Sequence, residues 1–305
     1  MDFDYGWDAL LQPGNPTGAA STYFDFGGPE RPRFEPRVTA YHQANAWWLA
    51  ELSRWIYRQE TDETDEPAHA GRRKRALHTI YLREVQFINN PDTHTQCAIV
   101  VPEAESGTEP FGILIFRGTH HIRDWLINLK LARERWREGG WVHSGFRAAF
   151  ASVWAAVARR LETVEGPLFY TGHSLGAALA VLAAGARPPQ ALYTFGAPLV
   201  GDRAFADTFR AVNAYRVVNN RDIVTTVPPD EFGYRHTGEL HYFTYDGRRI
   251  VNPSHDAVAA DRKKDDPKNA ARWFEQLARP PEFLADHSPC NYVAHLERDI
   301  KRGDS

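Results

Sequence analysis

Cysteine is scarce in this chain: Cys97 and Cys290 are the two in 305 residues. That excludes a disulfide framework, and each is read as a small packing side chain. Strong charge of one sign is also missing. A net charge of -3 with neutral histidines carries no signature of a nucleic-acid partner. Long apolar runs are missing too. The longest, Ala177–Ala186, is far short of the ~20 residues an integral membrane segment needs. The N-terminal MDFDYGWDALLQPG is acidic and has no basic stretch leading into an apolar core. No secretory signal is read there, so the default expectation is a cytoplasmic protein, with a removed leader or another export route left open. No internal repeat, low-complexity tract or proline-rich linker divides the chain. Residues 1–305 are therefore expected to form one domain, with residues 1–37, rich in Gly and Pro, as an irregular arm on its surface. The basic quartet at 72–75 follows an acidic run at 60–66, which reads as a solvated loop.

What is present centres on Leu168–Gly185, LFYTGHSLGAALAVLAAG. Leu168–Tyr170 has the makings of a short buried strand, and Ala177–Ala184 is made of helix formers. Between them lies Gly172-His173-Ser174-Leu175-Gly176, a G-x-S-x-G pentapeptide. A strand turning at once into a helix needs a tight corner, and glycines two before and two after the serine let the backbones approach. Ser174 then stands at the apex with the positive end of the helix beneath it, the geometry of a nucleophile.

The rest of the chain alternates strands and helices. Tyr41–Tyr57 has helical spacing of Ala44, Trp48, Leu52, Trp55 and Ile56. Strands are expected at Tyr81–Ile88, Cys97–Val101, Phe111–Phe116, Ala191–Phe195 and Tyr215–Val218. Ser144–Leu161 reads as an amphipathic helix and Asp202–Arg210 as a shorter one. Such alternation implies an α/β fold, a central, mostly parallel twisted sheet with helices on both faces. Thr119, Ser174, Pro198 and Asp222 all fall just beyond strand ends, where such sheets bind ligands.

A serine nucleophile needs a base, and the base needs an orienting acid. In chain order these are expected as Ser, Asp, His. Asp222 follows a strand directly and precedes the stiff IVTTVPP segment, so it is preferred over Asp207, Asp230 and Asp246; Asp202 is expected to cap its own helix. Of the later histidines, His236 lies in a turn, His241 in a strand pattern and His295 inside a helical pattern. His255 and His287 both sit in loops before helices, and periodicity does not separate them. For the oxyanion, one donor is the N–H of Leu175, and Thr119 supplies the other from the loop after an earlier strand.

At this point the chain resembles the class 3, fungal-type, triacylglycerol lipases of the α/β-hydrolase superfamily. The resemblance is carried by FRGT at 116–119, DWLINL at 124–129, VHSGF at 142–146 and TGHSLGAALA at 171–180. It continues through TFGAPLVGD at 194–202, VVNNRDIVTTVPP at 217–229, GYRH at 233–236 and DHSPCNY at 286–292. It implies Ser174 as nucleophile, Asp222 as acid and His287, rather than His255, as base. It further implies Thr119 and Leu175 as the oxyanion hole, and structural roles for His173 and His236. Residues 120–129, with Trp125, fall where fungal members carry a mobile lid.

The expected function is therefore a serine carboxylic-ester hydrolase acting on acylglycerol-type or other lipid esters, with no cofactor and no metal. A lipid or small ester is the expected partner. Trp125, Trp136 and Trp141 are read as lining an acyl site, meeting a lipid–water interface, or simply packing. Activity is expected to fall as pH drops below the ~6.5 of an ordinary histidine. The alternatives are a short-chain carboxylesterase, a phospholipase or an acyltransferase with the same triad, and behind them a non-catalytic binding module on the same fold.

Overall fold

The computed structural model of the chain describes residues 22–27, 30–57, 74–119, 126, 131–264 and 282–303. The expected lid segment at 120–129 with Trp125, the acidic run at 60–66 and Arg72 and Arg73 of the basic quartet lie outside those residues, apart from Leu126.

A mixed eight-stranded sheet forms the centre, in the order β1 (Leu82–Asn90), β2 (Thr95–Pro102), β3 (Gly112–Phe116), β6 (Leu168–His173), β7 (Ala191–Phe195), β9 (Ala214–Asn219), β11 (Glu239–Phe243) and β12 (Arg249–Val251). The five strands from β3 to β11 run parallel, and antiparallel strands flank them on both sides. The expected strands at 81–88, 97–101, 111–116, 191–195 and 215–218 all appear, with ends shifted by up to two residues. A small second sheet, β10-β8-β5-β4, joins Tyr234–Arg235, Gly201–Asp202, Trp141–His143 and Arg133–Arg135.

Alternation along the strands makes two apolar layers. Ile113, Ile115, Phe169 and Tyr193 face one side, where α1 (Gln43–Trp55) and α7 (Pro289–Arg302) cover them with Trp47, Trp55, Tyr292 and Leu296. Leu114, Phe116, Tyr170 and Leu192 face the other, under α2 (Ser144–Leu161) and α3 (Leu175–Ala186). The spacing of Phe146, Phe150, Val153, Val157 and Leu161 on α2 is the stripe that one such layer requires. α3 is buried from Gly176 to Ala184, which explains its lack of a polar face. α7 has Pro at its start and Gly303, at φ +70°, just past its end, the asymmetry that defines both ends of a helix. α4 (Arg203–Asp207) is capped as expected, since Asp202 accepts from the Phe205 N–H at 2.9 Å.

Of the arm expected on the surface at residues 1–37, residues 1–21, 28 and 29 lie outside the described residues, and two side chains of the remainder depart from that position. Phe24 and Phe26 are buried in the α1 layer, with Phe26 edge-on to Trp47 at 5.2 Å. Large aromatic area outweighs an irregular backbone: burying one such ring contributes roughly 1.5–3 kcal/mol. Cys97 and Cys290 are both buried and unbridged, and burial pushes the Cys97 thiol up to about 12.

Candidate active site

The carboxyl ends of the parallel strands bring the site together. β6 ends at His173, and Ser174 makes the turn into α3 at φ +60° and ψ -130°. A non-glycine residue in that region stores on the order of 1–3 kcal/mol. The two glycines permit it. A Cβ on Gly172 would strike the backbone of Gly176, and one on Gly176 would strike the Phe116 carbonyl on β3. Ser174 N–H continues the sheet by donating to the Phe195 carbonyl at 3.0 Å. Its Oγ is buried and makes no hydrogen bond.

β9 ends at Asn219, and Asp222 begins a short turn at Ile223–Thr226. Its Oδ1 accepts from the Val224 N–H at 2.9 Å, and His287 Nδ1 lies 2.9 Å from both carboxylate oxygens. Tyr292, one turn into α7, donates its hydroxyl to Oδ2 at 2.5 Å and accepts from the Asn219 N–H at 3.1 Å. Burial and the Asp222 charge hold that phenol well above its ordinary range. Asp286, beside His287, takes the Arg221 N–H on Oδ2 and the Asn219 side-chain amide on its carbonyl, both at 3.0 Å. These bonds tie the loop between α6 (Glu282–Ala285) and α7 to the acid loop. Gly196, just past β7 at φ +58°, leaves room for the pair; a Cβ there would sit 2.7 Å from Asp222 Oδ2 and 3.0 Å from His287 Nδ1.

With Nδ1 against a carboxylate, His287 carries its proton there and turns Nε2 away. Nε2, like Ser174 Oγ, is buried and makes no hydrogen bond. The ring of His173, the residue before Ser174, lies 4.4 Å from the ring of His287. Thr119 stands three residues beyond the end of β3, and Leu175 opens α3, where a first-turn N–H has no partner within the helix. His255, the other base left open by spacing, is the exposed first residue of α5 (His255–Arg262).

The two other matched histidines are bound at the edges of this site. His173 Nε2 donates to the His287 carbonyl at 2.7 Å, so Nδ1 is left to accept the Tyr57 hydroxyl at 2.9 Å. Burial, and next the nearby His287, hold His173 well below its ordinary range. His236 Nε2 donates to the Thr225 carbonyl at 2.8 Å, and burial lowers it as well. Tyr57, just past α1, was not foreseen. Its hydroxyl also takes the N–H of Gly118, next to Thr119, and through His173 it joins the loop after β3, the Ser174 turn and the His287 loop. Tyr292 falls within a matched motif, but nothing in its spacing pointed to the carboxylate it holds.

A serine on a strained strand–helix turn and a buried His–Asp pair, both at the carboxyl edge of a mostly parallel sheet, are features of the α/β-hydrolase fold. Comparison with known proteins narrows this. The lipase (class 3) family profile matches residues 113–232. It is 33% identical over 179 residues to the secreted mono- and diacylglycerol lipase 1 of Fusarium solani, covering 50% of this chain and 54% of that protein. It is 35% identical over 159 residues to a lipase of Rhizomucor miehei, covering 46% of this chain and 44% of that protein. The solved structure of the Rhizomucor miehei lipase in its propeptide complex matches with a TM-score of 0.53 and 26% identity, over 68% of this chain and 70% of that one. The chain thus spans about half the length of these curated relatives. Among the described residues no helix is long and apolar enough to cross a membrane. The cytoplasmic default finds no support in these relatives, since the Fusarium protein is named as secreted.

Proposed function

We propose that this protein is a serine carboxylic-ester hydrolase that cleaves acylglycerol-type lipid esters through an acyl-enzyme. The observation that carries the reading is the pair of buried, unbonded reactive atoms, Ser174 Oγ and His287 Nε2, with His287 Nδ1 held 2.9 Å from Asp222. The relatives named as lipases support the ester and the acylglycerol.

Ser174 Oγ attacks the ester carbonyl and gives its proton to His287 Nε2. Asp222 keeps the ring oriented and stabilises the imidazolium without taking the proton. The negative oxygen of the tetrahedral intermediate meets the Leu175 N–H and the backbone and hydroxyl of Thr119. Collapse breaks the carbon–oxygen bond, and His287 protonates the departing alcohol. Water then repeats the sequence against the acyl-serine, releasing the carboxylic acid and restoring the Ser174 hydroxyl. Val224, two residues past Asp222, and Leu284, three residues before His287, form a small apolar cluster with Leu126 and Ile223 packed on it. An apolar surface of this kind suits an acyl chain better than a peptide.

The test is fluorophosphonate labelling together with hydrolysis of nitrophenyl esters from acetate to palmitate and of a dispersed acylglycerol. The expected result is stoichiometric labelling, turnover of the longer esters and of the acylglycerol, and loss of both in Ser174→Ala, by about 10⁴-fold or more in turnover. Full turnover by Ser174→Ala overturns the reading. Absence of label in the folded wild type replaces it with a binding module.

A further inference from the structure

At the end of the sheet away from Ser174, α1 and the starts of β1 and β3 enclose a slot of about 340 Å³. Its walls are apolar. Trp48 and Leu52, one turn apart on α1, face Phe111 and Ile113 at the start of β3, and Leu82 opens β1 beside them. Residues 31–34 line it with alternating exposure, Arg31 and Arg33 exposed and Pro32 and Phe34 half-buried. Two contacts pin the segment. Trp48 Nε1 donates to the Pro32 carbonyl at 2.6 Å, and the Phe34 ring lies 4.8 Å from Phe111 and 5.0 Å from Phe169. Both arginines are exposed and both border the slot. Among the described residues no carboxylate lines it. Nearby, Glu109 is taken by Arg37 and Glu103 by His78, while Glu35 stands 4.0 Å from Arg33.

We propose that this slot binds a single-chain alkyl carboxylate of about ten carbons, its tail between α1 and β3 and its carboxylate against Arg31 and Arg33. Apolar walls with a few converging polar groups are the general form of a small-molecule site. A guanidinium presents paired donors that match a carboxylate. At about 30 Å³ for a water-sized group, the volume holds on the order of ten methylenes. The slot is separate from the acyl site. Gly112 on β3 pairs with Leu168, the first residue of β6, whereas Ser174 follows the last. At ~3.3 Å per residue the two lie on the order of 20 Å apart along the strand. A fatty acid released by hydrolysis has this chemistry. That link to product rests on the ester reading above, while the binding itself does not.

Calorimetric titration of octanoate, nonanoate, decanoate and decanol, below their micelle concentrations, into the full chain tests it. The wild type, Arg31→Gln/Arg33→Gln and Thr108→Trp are compared, the last filling the mouth from an exposed position. The dissociation constant is expected to tighten about fourfold for each added methylene. The double arginine variant is expected to weaken decanoate about tenfold and leave decanol within twofold, as for exposed ion pairs. Thr108→Trp is expected to abolish both. Decanoate affinity unchanged in both variants overturns the proposal, as does absence of saturable binding to the wild type. Ester turnover measured on the same variants is expected to stay at the wild-type level. The ester reading stands or falls on Ser174→Ala alone.

Discussion

Two histidine rings 4.4 Å apart are used in opposite ways, one on the nucleophile turn and one on the base loop. Both are about 2% exposed, so burial does not distinguish them. The difference lies in which atoms the neighbours occupy. His173 has both nitrogens committed, one to the His287 carbonyl and one to the Tyr57 hydroxyl. His287 has Nδ1 committed to Asp222 and leaves Nε2 buried without a bond. A neutral, fully bonded ring next to the base also matters electrostatically. Two unit charges at about 4 Å repel by about 4 kcal/mol at an effective dielectric of 20. Keeping His173 neutral removes that penalty when His287 takes the serine proton in the proposed cycle.

The largest break in this contrast is expected from Asp222→Asn. The amide would donate to His287 Nδ1, moving the ring proton to Nε2, and the base would then face Ser174 with a proton instead of a lone pair. A fall in kcat of about 10⁴-fold is expected on a soluble nitrophenyl ester, with the Tyr292 bond to the side-chain oxygen kept. A loss of less than tenfold would mean that Asp222 does not set the tautomer.

Next in size is the cost of charging His173. Its folded pKa lies below its unfolded value of about 6.5, so the unfolded chain takes up the proton first as pH falls. The stability it contributes is therefore present above about pH 6.5 and is lost on the way down, by about 1.4 kcal/mol per pH unit. His295, which burial and nearby Arg298 and Arg302 push to about 3, loses stability in the same direction. Urea melts from pH 7 to pH 5 should show a fall in stability in the wild type. His173→Gln, which cannot titrate, should flatten the curve. Parallel curves for the two proteins would show that His173 is charged in the folded state.

The strained turn at Ser174 was legible because it is local: strand, turn and helix are contiguous, and glycines two residues either side are needed by the backbone itself. The place of Asp222 just past a strand was legible for a similar reason, since that strand is buried. Asp202 announced its cap through its position at the head of a short helix. Which histidine meets Asp222 was not legible from spacing, because His255 and His287 both precede helices. What separates them is that α7 is a buried helix packed on α1, while α5 begins in solvent. The aromatic arm was misplaced because Gly and Pro describe a backbone and say nothing of where Phe24 and Phe26 go. Tyr57 was hidden altogether. It acts through a hydroxyl that reaches a residue 116 positions away, and no periodicity encodes such a contact.

That hydroxyl carries the smallest and most discriminating prediction. Tyr57→Phe removes one oxygen and keeps the ring that packs in the α1 layer. The variant loses the donor to His173 Nδ1 and the acceptor for the Gly118 N–H, so two buried polar groups are left unpaired, at roughly 1–3 kcal/mol each. If the hydroxyl only fills space, its loss should lower the melting temperature and leave the kinetic constants alone. If it aligns three loops, the loss should appear in kcat, because the oxyanion donors and the base are then less well placed for the transition state than for the bound ester. A fall of about tenfold in kcat with KM within twofold is expected on a soluble ester, equivalent to about 1.4 kcal/mol. Asp222→Asn/Tyr57→Phe should be less than additive with the single variants, since Tyr57 acts through the ring that Asp222 orients. Full additivity, or a melting shift with unchanged kcat, would reduce Tyr57 to packing and leave His173 as an isolated neighbour of the base.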